Sequence, residues 1–260
     1  MKVFVEQLIS DHVGYVQMRR PDLHNAFNEN VIEQLADAFH ELGNRDDVRA
    51  IVLSGEGKSF CAGADLNWMQ KMVDYTFDEN VADAGQLASM LNTIRCCPKP
   101  TIARVHGAVF GGGIGLVAAC DVAVALERAV FCLSEVKLGI APAIIMPFLT
   151  EKMQPSAVQR YALTAERFGG DEAKRVGLVA ETVESADGLD EEIGRIVEAI
   201  KETGPCAVAA CKAIIRGSRG GDFDEALASM TKQIAKLRAS DEGQEGLKAF
   251  LEKRNPNWRG

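Results

Sequence analysis

Between Lys2 and Met18 apolar and polar side chains alternate with a period of two, and the turn-prone Ser10-Asp11-His12 interrupts the alternation, which predicts a β-hairpin. The period then changes. Val31, Ile32, Leu35, Phe39 and Leu42 recur at helical spacing, with Asn28 suited to cap that helix and Gly43 to stop it. VRAIVLSGEG, TIARVHGAVFGGG and the VAVAL after Asp121 are short apolar runs, each read as one strand followed by helix-compatible sequence. Strand, loop and helix repeated in that order predict an α/β class, a mostly buried sheet with helices on its faces. After about Glu184 the periodicity is helical only, so a helical C-terminal region is expected.

Composition narrows the function classes. A chain of 260 residues can bury a large core as one domain, or one domain with an appendage. Its formal net charge of −8 lacks the basic footprint of a nucleic-acid binder. No apolar run approaches the roughly 18 residues that a bilayer span requires, and the N-terminus has no basic region followed by an apolar core. The seven cysteines include no CxxC pair and no Cys/His cluster of zinc type, and they read as reduced thiols. The expectation is a cytoplasmic protein without a membrane segment, a metal or a redox cofactor.

The stretch FGGGIGLVAACD, Phe110 to Asp121, sets three glycines at the mouth of an apolar, helix-compatible run. Glycines there permit close backbone packing, and at a helix N-terminus they also leave N–H groups open to an anion or a developing oxyanion. The run Gly113-Ile114-Gly115-Leu116-Val117-Ala118 fits the degenerate dinucleotide pattern G-x-G-x-x-A, but VAVAL follows Asp121 at once and leaves too little chain for a crossover helix. A second loop, GEGKSFCAGADLNWM, also runs from strand to glycine-bearing turn to helix, with Asp65 placed to cap a helix starting at Leu66. Two such turns can each offer one backbone N–H to a single oxygen.

SFCAGADL, VHGAVFGGGIGLVAACD and FCLSEVKLGIAP together resemble the signature blocks of the crotonase (enoyl-CoA hydratase/isomerase) superfamily, with RPDLHNAF and EGLKAFLEKRNPNW extending the similarity over nearly the whole chain. The resemblance implies a spiral of ββα units over residues 1–195 and a helical trimerisation region over 196–260. It implies a homotrimer or dimer of trimers, and an acyl-coenzyme A thioester as substrate in place of any cofactor. Its oxyanion donors correspond to Ala64 and Gly112, and its acid/base to Glu135. Where two-glutamate hydratases of the family carry their first glutamate, this chain has Gly115. The blocks are most similar to bacterial 3-methylglutaconyl-CoA hydratases and their isoprenoid-catabolic relatives, so hydration of a branched, carboxylated enoyl-CoA is expected, with room at Gly115 for the acyl group. Isomerisation of a 3-enoyl to a 2-enoyl thioester by the single glutamate is the alternative, and a non-catalytic acyl-CoA or RNA binder is a third possibility.

The resemblance also implies coenzyme A contacts at His24, Ala26, Ala62, Asp65 and Leu66, and at Phe250 and Lys253 reaching a neighbouring subunit. Trp68, Met69, Gly115 and Pro142 are expected around the acyl chain, although aromatic and Met side chains at the helical spacing of Trp68 and Met69 more often belong to a core. His106, inside an apolar strand, reads as a core histidine instead of an acid/base group.

Overall fold

The computed structural model describes residues 2–217 and 222–259. In chain order, β1 (Val5–Ser10) and β2 (Val13–Met18) precede α1 (Glu29–Gly43), β3 (Ala50–Gly55), α2 (Leu66–Met72) and α3 (Phe77–Cys96). Then come β4 (Thr101–Val105), β5 (Ala108–Phe110), α4 (Gly112–Ala119), β6 (Val122–Leu126) and β7 (Val130–Cys132). A 3-10 turn at Glu135–Leu138 leads to α5 (Met146–Lys152), α6 (Pro155–Thr164), β8 (Phe168–Gly169), α7 (Gly170–Arg175) and β9 (Glu181–Val183). The chain closes with α8 (Ala186–Lys201), α9 (Pro205–Gly217), α10 (Phe223–Ala239) and α11 (Asp241–Glu252).

The hairpin forms as expected, with Val5 opposite Met18 and Ser10 opposite Val13. Its second strand starts a parallel run, giving a six-stranded sheet of order β1-β2-β3-β4-β6-β9. Asn28 caps α1, its side chain accepting the Val31 N–H, while the helix includes Gly43 and ends at Asn44.

TIARVHGAVF is two strands, not one. The alternation continues through His106, but Gly107 turns the chain at φ +59°, and β5 leaves for a second sheet of order β5-β7-β8. A side chain at Gly107 would collide with the Lys58 carbonyl. The same step recurs from β6 to β7, so these two successive units each cross from the large sheet to the small one before the next helix. This is the expected spiral of ββα units.

Alternation along the central strands divides their side chains between two apolar layers. Ile51, Leu53, Ala103, Val105, Ala123 and Ala125 face the main core, and Ala50, Val52, Ile102, Val124 and Leu126 face the other side. Leu189, Ile193 and Val197 of α8 cover that second layer, each contributing about 1.5–3 kcal/mol relative to exposure. The boundary expected at residue 195 therefore falls inside a helix that the sheet needs, and the C-terminal helices separate only after Lys201. They dock through Asp121, whose Oδ2 accepts from Thr101 N (2.8 Å) and from Lys212 Nζ of α9 (2.5 Å).

Candidate active site

Two turns are zipped together beyond the ends of parallel strands. The chain past β3 pairs with the β4–β5 segment: Phe60 N–H donates to His106 O (2.9 Å), Cys61 N–H to Ala108 O (3.2 Å) and Phe110 N–H to Cys61 O (2.9 Å). Cys61 and Val109 form a parallel bridge. Ala64 and Gly112 each lie three residues beyond that bridge, so equal lengths of chain bring them to the same place. Gly111 N–H donates to Cys132 O (3.0 Å), and Glu135 lies three residues beyond Cys132. Three neighbouring strands thus deliver Ala64, Gly112 and Glu135 to one spot outside their carboxyl ends, where open α/β sheets bind ligands.

The direction of each N–H follows from its peptide plane. Gly63 O accepts from Phe27 N (2.7 Å), and Asp65 N–H donates to Phe27 O (2.8 Å). A trans peptide sets N–H opposite C=O, so the Ala64 N–H points away from Phe27. Gly112 opens α4, where an N–H has no intrahelical acceptor. Among the described residues neither N–H meets an acceptor.

Each of the three glycines is required by a close neighbour. Gly111 has φ +50°, and a Cβ there would stand 3.1 Å from Glu135 Oε1. At Gly112 it would stand 2.8 Å from Phe27 Cε2, and at Gly113 2.5 Å from the Cys61 carbonyl. The Cβ direction at Gly112 thus points into the core, while its N–H remains free. Phe27 serves both turns: its backbone brackets Ala64 and its ring abuts Gly112.

Glu135 is half-buried, and its Oε2 is enclosed without a partner among the described residues. Burial raises its carboxyl above the ordinary glutamate range, against a smaller opposing contribution from its own backbone N–H. A carboxyl of this kind is suited to take and return a proton.

Gly115 does not open the expected room. It is buried, and the space beyond its Cα is taken by the Ile145 Cγ2 methyl, with Leu91 Cδ1 3.3 Å from where a Cβ would be. Asp65 is also not available to a ligand. Its Oδ1 accepts the Asn67 N–H (2.7 Å) as the α2 cap, its Oδ2 takes the Arg20 guanidinium (2.6 Å), and its carbonyl accepts from Met69. Burial opposes ionisation of Asp65, yet Arg20 and the capping N–H groups bring its carboxyl below the usual range.

Ala62 is half-buried and Leu66 projects to solvent beside the turn, while Ala26 is buried with its carbonyl held by Arg20 Nη1 (2.6 Å). His24 is exposed in a left-handed conformation, its Nδ1 3.0 Å from Ser59 Oγ. Trp68 is buried in the main core and donates Nε1–H to Asp83 Oδ1 (2.9 Å); Met69 is half-buried, and Pro142 is buried after the Glu135 turn. His106 Nε2 lies 3.0 Å from Gly57 O, which ties the ring to the neighbouring turn, and burial lowers its pKa. Phe250 and Lys253 are exposed at the end of α11, which packs on α9 and α10. Among the described residues no cluster of three or more His, Cys, Asp or Glu could hold a metal ion, and no helix is long and apolar enough to cross a membrane.

Sequence reasoning missed Phe27, Arg20 and Ile145. The RPDLHNAF block contains the first two, but an apolar residue in a loop and an arginine before proline carry no periodic signal.

The profile of the family described as Enoyl-CoA hydratase/isomerase matches residues 9–260. The chain belongs to that family. Among solved structures similar to this family member is an enoyl-CoA hydratase from Shewanella pealeana, at TM-score 0.95 and 38% identity over 98% of this chain and 96% of that one. Curated relatives include the peroxisomal Delta(3,5)-Delta(2,4)-dienoyl-CoA isomerase of Arabidopsis thaliana, 33% identical over 95% of this chain and 92% of that protein. The enoyl-CoA hydratase ACTT6 of Alternaria alternata is 30% identical over 94% and 80%. As an enoyl-CoA hydratase/isomerase, the chain is an enzyme of acyl-CoA chemistry, and its relatives include both reaction types.

Proposed function

We propose that the chain is an enoyl-CoA hydratase in which one carboxylate makes both proton transfers. The observation that carries this reading is the Glu135 carboxyl, raised in pKa and with a buried unpartnered oxygen, lying against the Gly111–Gly112 turn that offers a free N–H. The N–H groups of Ala64 and Gly112 receive the thioester oxygen. Glu135 removes a proton from water as the water oxygen bonds to Cβ, and the carbon–carbon π pair moves towards the carbonyl as an enolate. The same carboxyl then returns the proton to Cα, so hydroxyl and hydrogen add across the double bond. Each donor in such a hole is worth about 3 kcal/mol in the transition state. The enolate charge is met by backbone, and the reading calls for no metal or redox group.

Coenzyme A is assigned to the surface around His24, Ala26, Ala62 and Leu66. Phe250 and Lys253 of a second copy complete it in a trimer or dimer of trimers, which accounts for their exposure here. The similarity of the sequence blocks supports a branched, carboxylated acyl group such as 3-methylglutaconyl. Because Ile145 fills the space at Gly115 and Trp68 lies in the main core, that group extends past Met69 and Pro142 instead.

A second reading, isomerisation of a 3-enoyl to a 2-enoyl thioester, is favoured by that same Ile145: a methyl where a water-holding carboxylate would stand suits carbon-to-carbon proton transfer. A panel of straight, branched and carboxylated enoyl-CoA thioesters followed by mass spectrometry tests both. A product heavier by one water supports hydration, and a converted product of unchanged mass overturns it in favour of isomerisation.

A further inference from the structure

Arg20 reaches the two backbone segments on either side of the Ala64 N–H. Its Nη1 donates to Ala26 O (2.6 Å), one residue before Phe27, and its Nη2 pairs with Asp65 Oδ2 (2.6 Å), one residue after Ala64. The pair is nearly enclosed, with the Arg20 and Asp65 side chains 9% and 5% exposed. Arg20 is fixed from its other sides as well. Its backbone N–H donates to Asn25 Oδ1 (2.9 Å), its carbonyl accepts from Asn25 N (2.9 Å), and its guanidinium lies 5.0 Å from the centre of the Phe4 ring.

Between those anchors lies the Phe27–Ala64 bridge, whose two backbone hydrogen bonds set the Ala64 peptide plane. Asp65 is rotationally fixed because one oxygen is held by the Asn67 N–H at the start of α2. The planar guanidinium therefore ties the 20–27 segment, the Ala64 peptide and the N-terminus of α2 into one unit.

We propose that Arg20 is a positioning residue that aims the Ala64 N–H, acting through Ala26 and Asp65 without touching substrate. The inference rests on the reading of Ala64 as an oxyanion donor. Aim matters because small displacements from productive geometry are costly to rate, whereas coenzyme A affinity draws on contacts spread over a long ligand. Lysine keeps the charge but offers one nitrogen in place of a rigid fork, and cannot span both acceptors in the same geometry.

Two measurements on the full chain test it. In Arg20→Lys, kcat falls roughly 10- to 100-fold, the scale of a misplaced reacting group, while KM changes by less than about threefold. The second probe is a conjugated 2,4-dienoyl-CoA bound in the Glu135→Gln background, where it is not consumed. Its absorbance moves to longer wavelength when its carbonyl is polarised. Adding Arg20→Lys removes most of that shift while the ligand remains bound. Should Arg20→Lys not fold, Asp65→Asn, which keeps the cap to Asn67 and loses the ion pair, gives the same loss of shift. A full red shift in these variants, or kcat and KM worsening together with the shift intact, overturns the inference and leaves Arg20 a structural ion pair. Absence of the shift with Arg20 intact overturns the oxyanion reading itself.

Discussion

The Ile145 Cγ2 methyl fills the space that a side chain on Gly115 would enter, so glycine at this point of α4 is matched to a neighbour and leaves no vacancy. Leu91 closes the same space from α3. Gly115→Glu is accordingly expected to destabilise the fold by at least the roughly 1–3 kcal/mol typical of overpacking, with the burial of a carboxylate in addition. Thermal unfolding of Gly115→Glu and of Gly115→Glu/Ile145→Ala checks this. The double variant should recover part of the lost Tm, and equal Tm values for wild type and Gly115→Glu would remove Ile145 from the explanation.

Glu135→Gln should keep thioester affinity and lose at least about two orders of magnitude in kcat, the scale of lost acid/base catalysis. It should also be more stable than wild type at neutral pH. A carboxyl whose folded pKa is raised stabilises the protein below its unfolded pKa, and that contribution is lost as pH rises through the folded value. The amide has no such loss. Its advantage in Tm, roughly 2–4 °C per kcal/mol for a chain of this length, should shrink as pH falls into the ordinary carboxylate range. In the wild type, the acid limb of kcat/KM should lie above that range, because the base must be ionised. Differential scanning calorimetry across pH together with pH–rate profiles measures both.

Replacing Gly112 tests the core before it tests the ligand. A Cβ at Gly112 meets the buried Phe27 ring at 2.8 Å, so Gly112→Ala should lower stability by about 1–3 kcal/mol. Phe27→Leu in the same chain should relieve part of the strain. If Gly112→Ala is as stable as wild type and only turnover suffers, the Phe27 contact does not explain the glycine.

Of the seven cysteines, Cys96, Cys206 and Cys211 are exposed, and Cys61, Cys97, Cys120 and Cys132 are buried. Burial pushes the Cys61 and Cys120 thiols up to about 12. A disulfide-exchange reagent should label no more than the three exposed thiols in the native chain, and all seven after denaturation. Rapid native labelling of Cys61 would contradict the zipped arrangement of the two turns.

The sequence made legible whatever has a period or a local partner. The alternating hairpin, the helical stripe of α1, the Asn28 and Asp65 caps and the strand-to-helix turns all formed, because each depends on residues a few positions apart. Three features were not legible for a shared reason. The break between β4 and β5 at Gly107 interrupts no hydrophobic pattern; it answers to the Lys58 carbonyl, which belongs to a different turn. The end of the sheet-bound region follows Lys201, and not residue 195, because Val197 packs under strands far away in sequence. The room expected at Gly115 depended on Ile145, 30 positions later. Asp65 was legible as a cap, but its ion pair with Arg20 could not be seen from spacing alone.

The bridge between Cys61 and Val109 has a consequence for how such a site persists through descent. Two of the groups assigned to the reaction belong to the main chain, so a lineage can exchange many side chains along these turns and still inherit both N–H groups. What it cannot tolerate is a change in count. One residue inserted between Val109 and Gly112 would leave every amino acid of the neighbourhood in place and nearly perfect identity, yet carry Gly112 out of step with Ala64. Divergence in letters is a poor clock for loss of activity here, and a single-codon insertion is the lesion to look for among silent relatives.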